Sequence, residues 1–250
     1  METGSGRGGA DIIVPVHNHF QKTRNLLESL YRHSDVPFHI YVIDNGSTDE
    51  TADLPKIYSR DITIIRNREN TGWTSGINQG IRLSGSPHLV FMSHDMEVSQ
   101  GWLGNLVAFL ETHPRIGAVG PLTSTAMDMQ SVDRVRERMV PQIPHFLTAD
   151  IHERNRVLRF HFHRARILVD GALDLSCAAL KRRAVEAVGD LNGTVAGRCD
   201  DGDYCRRLRK AGYVLGLVLD TYVVRQSDGT SREVLSGGRR RETRRAAGAC

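Results

Sequence analysis

The sequence predicts an α/β protein whose centre is a mostly parallel sheet flanked by helices. Three observations predict it. Short apolar runs alternate with helix-period segments over the first half of the chain, as in repeated βα units. Asp11–Val16 is apolar almost throughout, the pattern of a strand buried on both faces. Polar clusters follow the predicted strands at their carboxyl ends, where open parallel sheets keep their ligand crevice.

Asp11–Val16 is the first strand, and Leu26, Leu27, Leu30 and Tyr31 then recur at helical spacing. His39–Ile43 is a second strand. It stops at Asp44-Asn45-Gly46-Ser47-Thr48-Asp49, a turn and helix start that Ser47 or Thr48 can cap. Asp61–Arg66 reads as a third strand and Trp73–Leu83 as a glycine-containing helix. Leu89–Ser93 is a fourth strand ending at His94-Asp95-Met96-Glu97, followed by a helix over Trp102–Leu110 and a strand over Ile116–Val119. Residues 127–167 are rich in Arg and His and lack a clean period, so they read as a long functional excursion with one or two helices. Gly171–Leu180 is strand-like, Arg182–Val188 and Asp203–Ala211 are helical, and Gly212 is a helix stop. Val214–Leu219 and Tyr222–Val224 close the sheet, and no internal repeat is evident.

The 250 residues are 40% hydrophobic and 25% charged, which supports a folded core and argues against wholesale disorder. No apolar run approaches the roughly 20 residues of a membrane span. Residues 1–10 are glycine-rich without an apolar stretch and read as a flexible leader, not a secretory signal. The formal charge of +4 comes entirely from Ser231–Cys250, where six arginines face two glutamates. A neutral body argues against a nucleic-acid partner, whereas the tail reads as solvated and disordered, with the option of touching an anionic membrane surface. Cys177, Cys199, Cys205 and Cys250 are too sparse for a disulfide scaffold and lack zinc-knuckle spacing, so a reducing, cytoplasmic setting is expected.

The strand-end clusters Pro15–Asn18, Asp44–Asp49, Asn70–Asn78 and His94–Glu97 together outline a nucleotide-sized site. Asp11-Ile-Ile-Val-Pro-Val-His-Asn18, Tyr41-Val-Ile-Asp-Asn-Gly-Ser-Thr-Asp49 and Glu69-Asn-Thr-Gly-Trp73 with Gly76-Ile-Asn78 stand in this order. Ser93-His-Asp-Met-Glu-Val98 with Gly101-Trp-Leu103, and Asp200-Asp-Gly-Asp-Tyr-Cys-Arg-Arg207 with Ala211-Gly-Tyr213, complete the series. Together these motifs resemble those of the family 2 glycosyltransferases, densely over 11–122 and more loosely over 168–225.

The resemblance implies a GT-A type of fold, with a nucleotide-sugar-binding part at 11–122, an acceptor-binding and catalytic part at 123–230, and the basic tail at 231–250. It implies inverting transfer from a UDP- or dTDP-linked donor to an acceptor hydroxyl. Pro15, His17, Asn18 and Asp44 would contact the nucleoside, with Asn70, Gly72 and Asn78 also lining the substrate. Asp44 also reads as a turn aspartate. Asp95, with Glu97 beyond it, would hold Mn2+ or Mg2+ against the leaving diphosphate, although Ser93 replaces the family's first aspartate there. Asp201 would be the general base, with Asp200 orienting it or binding acceptor; Asp200, Asp201 and Asp203 crowd like charges, a setting that favours proton uptake, and they equally suit a helix N-terminus. Arg225 falls where the family often has a metal-binding histidine, and arginine holds phosphate instead of metal. Trp73 and Trp102 are candidate stacking platforms for sugar or acceptor, with core packing as the competing reading.

Other signals carry less. His152-Glu153 lacks the second histidine of a zinc-protease helix, and Gly4–Gly9 lacks the Lys-Ser/Thr of a phosphate loop. His161 and His163 would share one face of a strand as half a metal site. The rival functions are a nucleotidyltransferase, disfavoured because Pro15-Val16-His17-Asn18 stands where its glycine-rich loop belongs, and an inactive relative that binds sugar or a partner protein.

Overall fold

The structure, a computed structural model, describes residues 9–58, 62–124, 130–133, 146, 149–193 and 201–226. Its strands are β1 (Ala10–Val16), β2 (Phe38–Asp44), β3 (Ile62–Arg66), β4 (His88–Met92), β5 (Met96–Val98), β6 (Ile116–Thr123), β7 (Arg166–Val169), β8 (Cys177–Lys181) and β9 (Val214–Arg225). Its helices are α1 (Phe20–His33), α2 (Leu54–Ile57), α3 (Trp73–Leu83), α4 (Trp102–Thr112), α5 (Ile151–His161), α6 (Arg182–Val188) and α7 (Asp201–Lys210). The described strands form one sheet in the order β3-β2-β1-β4-β8-β6-β9-β5, with β7 also paired to β9. β3, β2, β1 and β4 are parallel, β8 runs antiparallel between β4 and β6, and β6 and β9 are parallel again.

The continuous apolar character of β1 follows from burial on both faces. Ile13 joins one core, while Ile12, Val14 and Val16 join the other. Leu89 and Phe91 likewise face one way and Val90 and Met92 the other. Leu26, Leu27 and Leu30 of α1 and Trp102–Leu110 of α4 cover the second face; Ile77 of α3, Leu158 of α5 and Leu208 of α7 cover the first. A Cβ on Gly80 would stand 2.2 Å from Ile13 Cγ2, and one on Gly76 would stand 2.7 Å from Pro15 Cβ. Those two glycines let α3 sit directly on β1, fixing the loop ahead of the helix against the carboxyl end of the strand. Pro15 is tolerated in a central strand because the β1–β4 pairing ends at Ile13 and Phe91.

Five expectations change. Met96–Val98 and Arg166–Val169 are strands, and the strand in 171–180 begins only at Cys177. The two closing strands are one, running through Asp220 and Thr221, which are buried. Asp220 accepts from Arg166 Nη1 at 2.6 Å and from the Arg164 N–H at 2.8 Å, and Thr221 Oγ1 accepts from Asn105 at 2.9 Å. These tertiary partners let polar residues continue a strand. His161 ends helix α5, so it shares no strand face with His163. Of the 127–167 excursion, residues 130–133, 146 and 149–167 are described, and they include α5 and the start of β7; the basic tail lies outside the described residues.

Candidate active site

The carboxyl ends of β1 and β2 are joined by a network centred on Asn45, which is buried. Its carbonyl meets His17 Nδ1 at 2.9 Å, its Nδ2 donates to Gly72 O at 3.1 Å, and its Oδ1 accepts from Asn67 Nδ2 at 2.9 Å and Thr71 Oγ1 at 3.1 Å. The side chain thus ties the loop after β2 to the loop between β3 and α3, while the backbone carbonyl ties it to the loop after β1. Asn18 and His19 both adopt the left-handed region, at φ 58° and 62°. The strain at Asn18 is compensated locally: its N–H donates to Ser47 Oγ and its Oδ1 accepts from Thr48 N, both at 2.8 Å. Asp49 caps α1 from across the turn, accepting from Phe20 N at 3.0 Å. Burial opposes the Asp49 charge, but hydrogen bonds from Thr51 and Phe20 outweigh it and hold the carboxyl below its ordinary range.

Asp44 is buried, accepts from Ser47 N at 2.8 Å and lies 3.7 Å from Arg66 Nε. The structure gives it the turn-forming role that stood beside the ligand role. Asn70 closes the loop before α3 by accepting from Gly72 N at 2.9 Å, and Gly72 caps that helix at φ 85°. Asn78 faces away from any such loop contact. Its Nδ2 donates to Leu191 O and its Oδ1 accepts from Leu191 N, both at 2.9 Å, fastening α3 to the segment after α6. Trp102 is corrected outright: it is fully buried, and its indole N–H donates to Ser34 Oγ at 3.1 Å, so it offers no ring to a sugar. Trp73, at the start of α3, stays partly exposed.

The acidic half of the site is assembled by the segment before β8. Ser93 N donates to Ser176 O at 2.8 Å, Asp174 Oδ1 accepts from Ser176 N at 2.9 Å, and Asp201 Oδ2 accepts from Leu175 N at 3.3 Å. The loop 173–176 therefore bridges the 93–95 turn and the first residue of α7, bringing the Asp95 and Asp201 motifs to one end of the sheet. Asp174 was absent from the expected site, and nothing in its apolar surroundings marks it. Asp203 does not share the crowding expected of it, because Arg206 and Arg207 neutralise it at 3.0 and 3.1 Å. Asp200 lies outside the described residues. Cys177, between these motifs, is inert: burial first, then Asp174, push its thiol far up, against the opposing Arg225.

Asp95 itself is paired. Arg225 Nη1 lies 2.9 Å from its Oδ2 and 3.2 Å from its Oδ1. Glu97 sits in β5 opposite Val224, with no hydrogen bond or ion pair among the described residues. His94, beside Asp95, stacks on His19 with ring centroids 5.5 Å apart. Burial lowers the His94 pKa; Asp95 opposes this, and His19, Lys22 and Arg225 add to it.

A cavity of about 370 Å3 opens at the opposite end of the sheet, lined by Pro87, His88, Lys181, Arg182, Arg183 and Glu186. Its cations are committed to carbonyls: Lys181 to His113 and Pro114, Arg182 to Ser86, and Arg183 to Pro114. It lacks the converging loops of the strand carboxyl ends.

The model of glycosyl transferase family 2 matches residues 11–189, well over half of the chain. This chain belongs to that family. A glycosyltransferase of Haemophilus influenzae is 27% identical over 131 residues, covering 52% of this chain and 44% of its own. YfnE of Bacillus subtilis, also a glycosyltransferase, is 34% identical over 90 residues, covering 35% of this chain and 23% of its own. The family 2 chain thus spans less than half the length of these relatives. Among solved structures, the mannosyltransferase PcManGT of Pyrobaculum calidifontis, in complex with GDP-Man and Mn2+, superposes with a TM-score of 0.66 at 21% identity, over 91% of this chain and 59% of its own. GalNAc-T7 with UDP, GalNAc and Mn2+ superposes with a TM-score of 0.64 at 12% identity, over 89% and 44%. The fold is of the GT-A type. Among the described residues no helix is long and apolar enough to cross a membrane.

Both structural neighbours hold Mn2+. Hard cations take carboxylate and other oxygen ligands. Here both Asp95 oxygens face a guanidinium nitrogen, and no group of three acidic, histidine or cysteine side chains suited to a metal occurs among the described residues. As arranged, these residues do not fit a divalent cation.

Proposed function

We propose that this family 2 chain transfers a glycosyl group from a nucleoside-diphosphate sugar to an acceptor hydroxyl, with inversion at the anomeric carbon. The observation that carries the reading is the 173–176 bridge, which sets Asp201 beside the strand-end loops of the matched family region. His17, Asn18 and the Asn70–Gly72 turn would line the nucleoside, on a floor shaped by Asp44 and Asn45. The donor would be a UDP-, dTDP- or GDP-linked sugar, and the acceptor a carbohydrate or other hydroxyl-bearing molecule.

In the proposed step the Asp201 carboxylate accepts the acceptor's hydroxyl proton as the oxygen attacks the anomeric carbon. The bond from that carbon to the phosphate oxygen breaks, and the nucleoside diphosphate leaves with the electron pair. Asp201 opens α7, whose N-terminal dipole favours the ionised carboxylate that a base must present. Asp201→Asn tests the role: transfer is lost while UDP or GDP affinity, read by calorimetry, is retained. An unchanged turnover number in Asp201→Asn removes Asp201 as base, and pyrophosphate as product instead of nucleoside diphosphate removes glycosyl transfer itself.

A further inference from the structure

We propose that Arg225 does the work of a divalent cation in this chain, its guanidinium holding the donor's diphosphate directly while Asp95 orients it. The proposal rests on the nucleotide-sugar reading above and concerns only how the phosphates are held. Asp95 uses Nη1 alone; Nε and Nη2 of Arg225 have no partner among the described residues, and the side chain is 26% exposed. A guanidinium with one edge pinned by a carboxylate and donors left over is arranged to take a phosphate by parallel hydrogen bonds. A metal ion bound to Asp95 would have to displace that guanidinium or share the carboxylate with it against like-charge repulsion.

The backbone holds Arg225 in place. Its N–H donates to Ser124 Oγ at 3.1 Å, the next N–H, of Gln226, donates to Asp95 O at 2.7 Å, and Gln226 Nε2 donates to Lys22 O at 3.1 Å and Met96 O at 3.0 Å. The arginine is thus carried on a strand end fastened both to the Asp95 turn and to α1. The surroundings also favour an anion. Lys22 and Arg225 both lie close enough to act on the His94 charge, and His19 stacks on His94.

The test is binding of UDP, dTDP and GDP to the full chain by calorimetry, in excess EDTA and in millimolar Mn2+. Wild-type protein should bind one of them in EDTA, with affinity changed by less than about threefold on adding Mn2+. Arg225→Ala should weaken binding by about tenfold or more, and Arg225→Lys should recover part of it, with thermal unfolding confirming that both are folded. Asp95→Asn, whose amide oxygen still accepts from the guanidinium, should keep binding in EDTA to within about tenfold of wild type, whereas loss of a metal ligand would abolish it. Nucleotide binding that needs Mn2+ and disappears in Asp95→Asn overturns the proposal and leaves the donor reading standing. Unaltered binding by folded Arg225→Ala does the same. Failure of every nucleotide in both conditions overturns the donor reading, and this proposal with it.

Discussion

Asn45→Ala isolates the device that spaces the strand-end loops. The substitution deletes three side-chain hydrogen bonds, to Gly72, Asn67 and Thr71, without altering the Asn45 carbonyl that meets His17. It strands few partners. Gly72 O still accepts from Gly76 N at 3.1 Å, Asn67 Nδ2 still donates to Gln79 at 2.9 Å, and Thr71 is exposed and returns to water. The cost is therefore the net value of the lost bonds rather than several desolvation penalties, about 2–3 kcal/mol in all. For a chain of this size that corresponds to a fall in Tm of roughly 4–12 °C. Because the loop after β2 then loses its side-chain tie to the loop between β3 and α3, transfer should fall by about tenfold or more, the sensitivity expected of sites displaced by an ångström or less. Scanning calorimetry and a nucleoside-diphosphate release assay on the same preparation check both numbers. A native Tm with lost transfer would put Asn45 in contact with substrate, and a lowered Tm with native transfer would show that the loops need no such tie; either result refutes the reasoning.

Trp102→Phe separates packing from ligand contact: losing the Ser34 bond and part of the indole volume should cost about 1–3 kcal/mol in urea unfolding while kcat/KM stays within about twofold. A fall in kcat/KM beyond tenfold at native stability would restore the ring to the site. His88 gives a pH prediction. Burial lowers its pKa in the folded state, with Glu111 opposing and Lys181 adding, and its Nδ1 is buried without a partner among the described residues. The unfolded chain then binds the proton more readily, so His88 contributes stability that is complete above its ordinary pKa of about 6.5 and is lost as pH falls below it. Urea midpoints followed from neutral pH downward should fall less steeply in His88→Phe than in wild type; parallel curves would rule His88 out as a contributor.

Much of the sheet was legible because burial on both faces writes itself as an unbroken apolar run, as in Ile12–Val16 and Leu89–Met92. Met96–Val98 was not, because three residues ending a polar turn carry no period of their own. They become a strand by pairing with Val223–Arg225, far away along the chain. β9 was read as two strands for the complementary reason. Asp220 and Thr221 look like a turn until Arg164, Arg166 and Asn105, all distant in sequence, supply their partners. Local pattern reports burial well and tertiary compensation poorly.

The site divides along the same line. The strand-end clusters were placed by topology alone, since a parallel strand must end where the crevice begins. What each side chain does there depends on distant partners. Asn78 sat within a matching motif and yet is spent on the Leu191 backbone, while the Asn45 side chain, inside another motif, fastens the loop after β2 to the one after β3. Arg225 is the sharpest case. As a sequence feature it is a departure at one position; the meaning changes once β9 is seen to bring it 2.9 Å from the Asp95 carboxylate. Two departures, Ser93 and Arg225, then cease to be independent. Under the Arg225 proposal, a neutral hydroxyl at Ser93 and a guanidinium at Arg225 both favour positive charge beside Asp95, the setting that a diphosphate held without a metal ion would need.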